Sequence, residues 1–148
     1  MTPRGFEMVQ RSADRPTLQG RSALVTGGGS GIGLAAAAAL VADGADVTLM
    51  GRTADKLEAA AEQLRQQAPE GVRVRTSAGD VTADADVAAA VALADADQTL
   101  RIVVASAGDG TMGPVVATST EEWNRILGVT LTGVVLVFRE AGAAIVRN

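Results

Sequence analysis

TGGGSGIG, Thr26 to Gly33, joins an apolar run, Ser22 to Thr26 (SALVT), to a helical stretch that starts near Gly31 and continues through Leu34, a run of alanines, Leu40 and Val41. The chain must turn sharply between strand and helix. Glycine permits the turn, because it reaches positive φ without a Cβ clash and lets a ligand approach the backbone. The first helical turn carries N–H groups with no intrahelical partner, and the helix dipole adds partial positive charge there, so the junction suits a phosphate or pyrophosphate. A glycine cluster alone is a weak sign. Here a strand precedes it and a helix follows, the setting in which such a turn holds phosphate. The plainer reading is a flexible loop that binds nothing.

Composition supports one α/β domain. The 148 residues are 47% hydrophobic, enough for a core, while aromatics at 2% leave that core to small aliphatic side chains. Cysteine and histidine are absent, which excludes disulfides and thiolate or imidazole metal sites, and no metal is expected. Tyrosine is absent too, and Lys56 is the only lysine, so acid–base chemistry falls to carboxylates, Ser, Thr and that lysine. A net charge of −4 without a basic cluster argues against a nucleic-acid surface. No segment reads as long and apolar enough to span a membrane, and residues 1–20 lack the apolar run of a signal peptide, so a cytoplasmic location is expected.

Along the chain, strands and helices alternate. A polar, mobile lead is assigned to 1–21 and a partial domain to 22–148. The first strand spans 22–26, and its helix stops near Asp43 and Gly44. A second strand is predicted over 45–50 (ADVTLM). Thr53 can cap a helix running through Gln67, whose Leu57, Ala60, Ala61 and Leu64 share a face. The alternation in VRVRTS predicts a strand over 72–77. A third helix is expected over 83–97, then a strand, RIVVA at 101–105, whose continuity implies burial on both faces. The loop SAGDGTMGP leads to a long last helix over 120–147. This rhythm implies a parallel, Rossmann-like sheet with right-handed crossovers and helices on both faces.

These residues resemble the N-terminal part of the short-chain dehydrogenase/reductase family. LQGRSALVTGG (18–28) and TGxxxGxG, filled by Gly27, Gly31 and Gly33, are similar to its cofactor loop. Asp80 and Val81 in GDVT, Ala107 and Gly108 after the fourth strand, and EEWNRILGVTLTG (121–133) follow in the family's order. The resemblance covers Leu18 to Asn148. It implies cofactor contacts from Gly27, Gly29, Ser30, Gly31, Ile32 and Gly33, from Asp80 and Val81 at the adenine ring, and from Ala107 and Gly108.

Arg52 stands just past the second strand, where dinucleotide folds place an acid to grip the NAD ribose or an arginine to pair with the 2′-phosphate of NADP. Gly51 and Arg52 provide no acid, so NADP(H) is preferred over NAD(H). The alternative is a solvated arginine at a helix start. For Asp80 the alternative is a turn with an N-terminal helix cap. Two departures from the family pattern stand out. Ala105-Ser106-Ala107-Gly108 replaces NNAG, which leaves the hydrogen bonds of two asparagines unassigned. Thr130 occupies the position of a catalytic-tetrad asparagine that holds a helix irregularity and a water; Thr130 is either its shorter substitute or a core residue.

The resemblance also implies a catalytic serine, then a tyrosine and a lysine four residues on, and this chain holds no tyrosine. Asp109, Glu121 and Glu122 are weak stand-ins, as loop and helix-start carboxylates are usually solvated. The expectation is therefore the cofactor-binding portion of an oxidoreductase whose complete form moves hydride between nicotinamide and a small carbonyl or alcohol, this chain being truncated after the fourth strand and its helix and inactive alone. A non-catalytic dinucleotide-binding or association module is the alternative. The fourth strand would then be an open apolar edge. The last helix is apolar nearly all round, which points to a homo-oligomer through 120–147. Met112 hints at an apolar substrate.

Overall fold

Aliphatic and β-branched runs form four strands in the computed structural model, which describes residues 18–110 and 113–148. They are β1 (Ser22–Thr26), β2 (Asp46–Gly51), β3 (Val74–Ala78) and β4 (Leu100–Ala105). All pair in parallel, in the order β3-β2-β1-β4. The helices are α1 (Gly31–Ala42), α2 (Ala54–Arg65), α3 (Asp84–Ala94), α4 (Thr120–Leu127) and α5 (Gly133–Arg147), with a π turn, Gly128–Thr132, joining the last two. The sheet is the expected Rossmann-like one. Most of the lead assigned to 1–21, and Met112, lie outside the described residues. Leu18 to Arg21 forms a turn whose Leu18 N–H donates to the Asp43 carbonyl at the end of α1.

β1 is buried at every position because helices cover both faces of the sheet. Side chains alternate across a strand, so neighbours enter different layers. Ala23 and Val25 pack with Ala37, Val41, Leu57 and Ala61 beneath α1 and α2. Leu24 packs with Val87, Ala90, Val137 and Ala141 beneath α3 and α5. The alanines at these contacts let the helix backbones sit close to the sheet.

Two expectations need correction. The run RIVVA is not buried on both faces: the strand order makes β4 an edge with β1 as its one partner, and Ile102, Val103 and Val104 are only half-buried. Edge position outweighs composition here. The expectation of an open apolar edge is the one that describes β4. Secondly, the helix Thr120–Arg147 is, by length and apolar composition, sufficient to cross a membrane. Its apolar residues lie on two faces. Val129, Val137, Ala141 and Ala144 pack into the core, whereas Trp123, Leu131, Val135 and Phe138 are 52%, 60%, 57% and 51% exposed.

Other boundaries shift by a few residues. α3 ends at Ala94, and the Asp95 carboxylate accepts from the Leu100 N–H to lead the chain into β4. Thr53 occupies the start of α2 but makes no capping hydrogen bond.

The turn after β1 leaves no room for a Cβ at two of its glycines. Gly27 has φ +66, and a Cβ on it would stand 2.7 Å from the Ser106 carbonyl oxygen. A Cβ on Gly33 would stand 2.3 Å from the Gly27 carbonyl oxygen. Both obstacles are backbone, which cannot step aside as a side-chain tip can. Beneath them the buried Thr26 Oγ1 accepts from the Ser106 and Ala107 N–H groups, each at 3.2 Å, and so ties the β4 loop to β1. This supplies two hydrogen bonds in the stretch where the family's asparagines are missing.

Gly33→Ala is expected to lower the unfolding free energy by about 1–3 kcal/mol, the usual cost of overpacking. A urea midpoint equal to that of the wild type would show that the turn has room. Thr26→Val, nearly isosteric, strands two N–H groups and is expected to cost about 1–3 kcal/mol, with Thr26→Ser recovering most of it. Equal stability of the valine and serine variants would contradict that assignment.

Candidate functional site

The chain runs from β1 outward through β2 to β3, then crosses back to place β4 on the other side of β1. The helices that follow β1 and β4 therefore lie on opposite faces of the sheet, and a crevice opens at the carboxyl ends of the strands, where sheets of this kind bind ligands. A cavity of about 170 Å³ lies there. Its walls are Gly27, Gly29 and Ser30 after β1; Gly51, Arg52, Thr53, Lys56 and Leu57 at the end of β2 and the start of α2; Gly79, Asp80 and Val81 after β3; Ala107 and Gly108 after β4; and Val129 from the π turn. A larger cavity of about 370 Å³, between Gln19, Gly44, Pro69 and Thr99, sits at the opposite ends of the strands.

Eight of the residues singled out in the sequence thus meet around one space: Gly27, Gly29, Ser30, Arg52, Asp80, Val81, Ala107 and Gly108. Gly31, Ile32 and Gly33 do not line it. They form the first turn of α1, directly after Ser30, with the Ile32 side chain in solvent. Ser30 starts α1 without a side-chain cap, so it leaves the first-turn N–H groups to a ligand or water. Thr130 does not line the cavity either; its hydroxyl donates to the Ile126 carbonyl at 2.6 Å, one turn back in its own helix. Lys56 and Val129 are lining residues that sequence reasoning did not single out. Lys56 read as an ordinary polar position of an amphipathic helix, and no periodic pattern announces the π turn that brings Val129 to the wall.

Asp80 is fixed from two sides. Its Oδ1 accepts from the Thr82 N–H and the Thr82 hydroxyl, both at 2.8 Å, while its own N–H donates to Asp86 Oδ2 at 2.8 Å. The Thr82 N–H and then its hydroxyl hold the Asp80 carboxyl below its ordinary range, with help from the charge of Arg52 and against partial burial. It is an anion at neutral pH. The N-cap position of α3 is held by Ala83, so Asp80 closes the turn before it and does not cap the helix.

Arg52 is exposed and makes no hydrogen bond or ion pair among the described residues. Asp109, by contrast, is occupied: its carboxylate pairs with Arg125 of α4 and accepts from the Gly110 N–H. Glu122 stands at the start of α4, where its N–H donates to the Ser119 hydroxyl. The cavity itself holds bare glycine backbone at Gly27 and Gly29, a free guanidinium, an ionised carboxylate and the hydroxyls of Ser30 and Thr53. These groups fit a phosphate-bearing adenine dinucleotide. They provide binding and orientation.

Comparison with known proteins agrees with this geometry. Residues 21–148 match the family model described as short chain dehydrogenase. The chain is 34% identical over 125 residues to oxidoreductase asL5 of Sarocladium schorii, covering 84% of this chain and 48% of that protein. A short-chain type dehydrogenase/reductase from Mycobacterium ulcerans superposes with a TM-score of 0.84 at 37% identity, over 89% of this chain and 49% of the other. L-Sorbose reductase from Gluconobacter frateurii, solved with NADPH and L-sorbose, superposes with a TM-score of 0.78 at 30% identity, over 87% and 49%. The chain spans about half the length of the curated relatives it matches. With its sheet order, glycine turn and strand-end cavity, it belongs to the short-chain dehydrogenase/reductase family.

Proposed function

We propose that this chain is the NADP(H)-binding portion of a short-chain oxidoreductase, with residues 22–148 forming the dinucleotide-binding unit. The observation that carries the reading is Arg52: an unpaired guanidinium on the wall of the strand-end cavity, with Gly51 beside it and no acid at either position to grip a ribose hydroxyl. Arginine presents a planar set of donors that matches a phosphate, and an unphosphorylated ribose gives it much less to hold. The pyrophosphate belongs at Gly27, Gly29 and Ser30 and at the first turn of α1, Gly31 to Gly33. Asp80 and Val81 belong at the adenine, and Ala107 and Gly108 further along the cofactor. Solved structures of the family include one with NADPH, which agrees with this preference.

When bound in the complete enzyme, the nicotinamide would exchange hydride with a carbonyl or alcohol of a small molecule. This chain's own residues bind and orient. None replaces the missing tyrosine, since Asp109 is paired with Arg125 and Asp80 is held as an anion by Thr82. Thr130, at the π turn, is the candidate for the asparagine's supporting role. The apolar stripe of Leu131, Val135 and Phe138 serves self-association through the 120–147 helix, and the protein works in the cytoplasm, away from membranes and nucleic acid.

Titration of the chain with NADP and NAD is expected to favour NADP, and Arg52→Asp to reduce that preference about ten- to a hundredfold, the worth of a hydrogen bond to a charged group. An unchanged affinity ratio would contradict the role of Arg52. The purified chain is expected to show no cofactor-dependent turnover with carbonyl or alcohol substrates. Measurable turnover would contradict the proposal and return attention to Asp109, Glu121 and Thr130.

A further inference from the structure

Most of the basic side chains in this fold are neutralised by their neighbours. Arg65 meets Glu58 and Glu62, Arg73 meets Asp46 and Asp97, Arg75 meets Asp97, Arg125 meets Asp109, and Arg139 meets Asp84 and Glu140. Arg101 is taken up by the carbonyls of Leu100 and Asn148. Lys56 is an exception. It has no hydrogen bond or ion pair among the described residues, and it lines the same cavity as Arg52. Arg52 and Lys56 thus share one cavity wall without an ion pair, and Asp80, which lines the same cavity and feels the charge of Arg52, is the one carboxylate among the lining residues.

Their placement is complementary. Arg52 reaches from the end of β2, whereas Lys56 rises from the first turn of α2, next to the glycine loop: a Cβ on Gly29 would lie 3.7 Å from the Cβ of Lys56. Asp55, the acid of that helical turn, does not line the cavity. Asp80 offsets part of the positive charge, yet two cations against one carboxylate leave the lining net positive, which favours an anion placed between Arg52 and Lys56. A phosphate monoester, carrying close to two negative charges at neutral pH, is matched by one guanidinium that binds it in a fixed plane and one ammonium that acts as a mobile point charge.

We infer that Lys56 is the second cation of a ribose-phosphate site and that, together with Arg52, it sets selectivity for adenosine carrying a 2′-phosphate over adenosine with a free 2′-hydroxyl. The inference rests on the reading of the cavity as a dinucleotide site and adds a residue to it. Lys56 is also the only lysine of the chain, so its contribution is isolated by one substitution.

The test titrates the full chain with 2′,5′-ADP and with 5′-AMP, in the wild type, Lys56→Gln and Lys56→Arg. Lys56→Gln is expected to weaken 2′,5′-ADP about tenfold, the lower end for a charge-assisted contact at an exposed site, and to leave 5′-AMP unchanged. Lys56→Arg is expected to recover most of the loss. If Lys56→Gln leaves 2′,5′-ADP unaffected, or weakens both nucleotides equally, the role of Lys56 is overturned while the cavity keeps its ligand. If the wild-type chain binds neither nucleotide, the cavity reading fails and the assignment of Lys56 fails with it.

Discussion

The close approach of the backbone at Gly27 to the loop after β4 is the constraint on which the rest of the molecule depends. It brings the ends of β1 and β4 together just where the strand order reverses. Without a side chain at Gly27 or Gly33, the first turn of α1 can settle against the end of β1, with Ser30 and Gly29 open toward the crevice. Thr26 locks the same junction from below by accepting two backbone N–H groups. The cavity is therefore a consequence of packing in the sheet and does not depend on a flexible loop finding its ligand.

Much of this was legible in the sequence. An apolar strand, a glycine turn and an alanine-rich helix can be combined in few ways, and the polar residues placed at successive strand ends did converge. Arg52 was readable because β2 runs through Gly51 and so delivers the next residue to the carboxyl edge of the sheet. What escaped was set by tertiary context. Lys56 lies on the polar face of α2, and only the neighbouring Gly29 makes that position a wall of the site. Val129 depends on a π turn, which changes the angular position of every later residue and which side-chain periodicity does not encode. For β4 composition and topology pointed in different directions: its apolar run suggested burial on both faces, whereas strand order leaves it the edge that the family resemblance implied.

The same fold explains why a helix apolar on two faces belongs to this sheet. One face of α5 fills the layer with α3, and small residues such as Gly133 let it approach Val81, which in turn lines the cavity. The other face and the β4 edge remain apolar and uncovered among the described residues. The cavity and α5 meet at Val81, which lines the one and packs against Gly133 of the other.

Backbone amide mapping of the isotopically labelled chain during titration with NADP tests the central claim most directly. The account predicts saturable shifts at Gly27 to Gly33, Arg52 to Lys56, Gly79 to Val81 and Ala107 to Gly108, with the exposed face of α5 unmoved. Saturable shifts confined to that face or to the cavity near Gly44 and Thr99, or no saturable shifts at all, would contradict it.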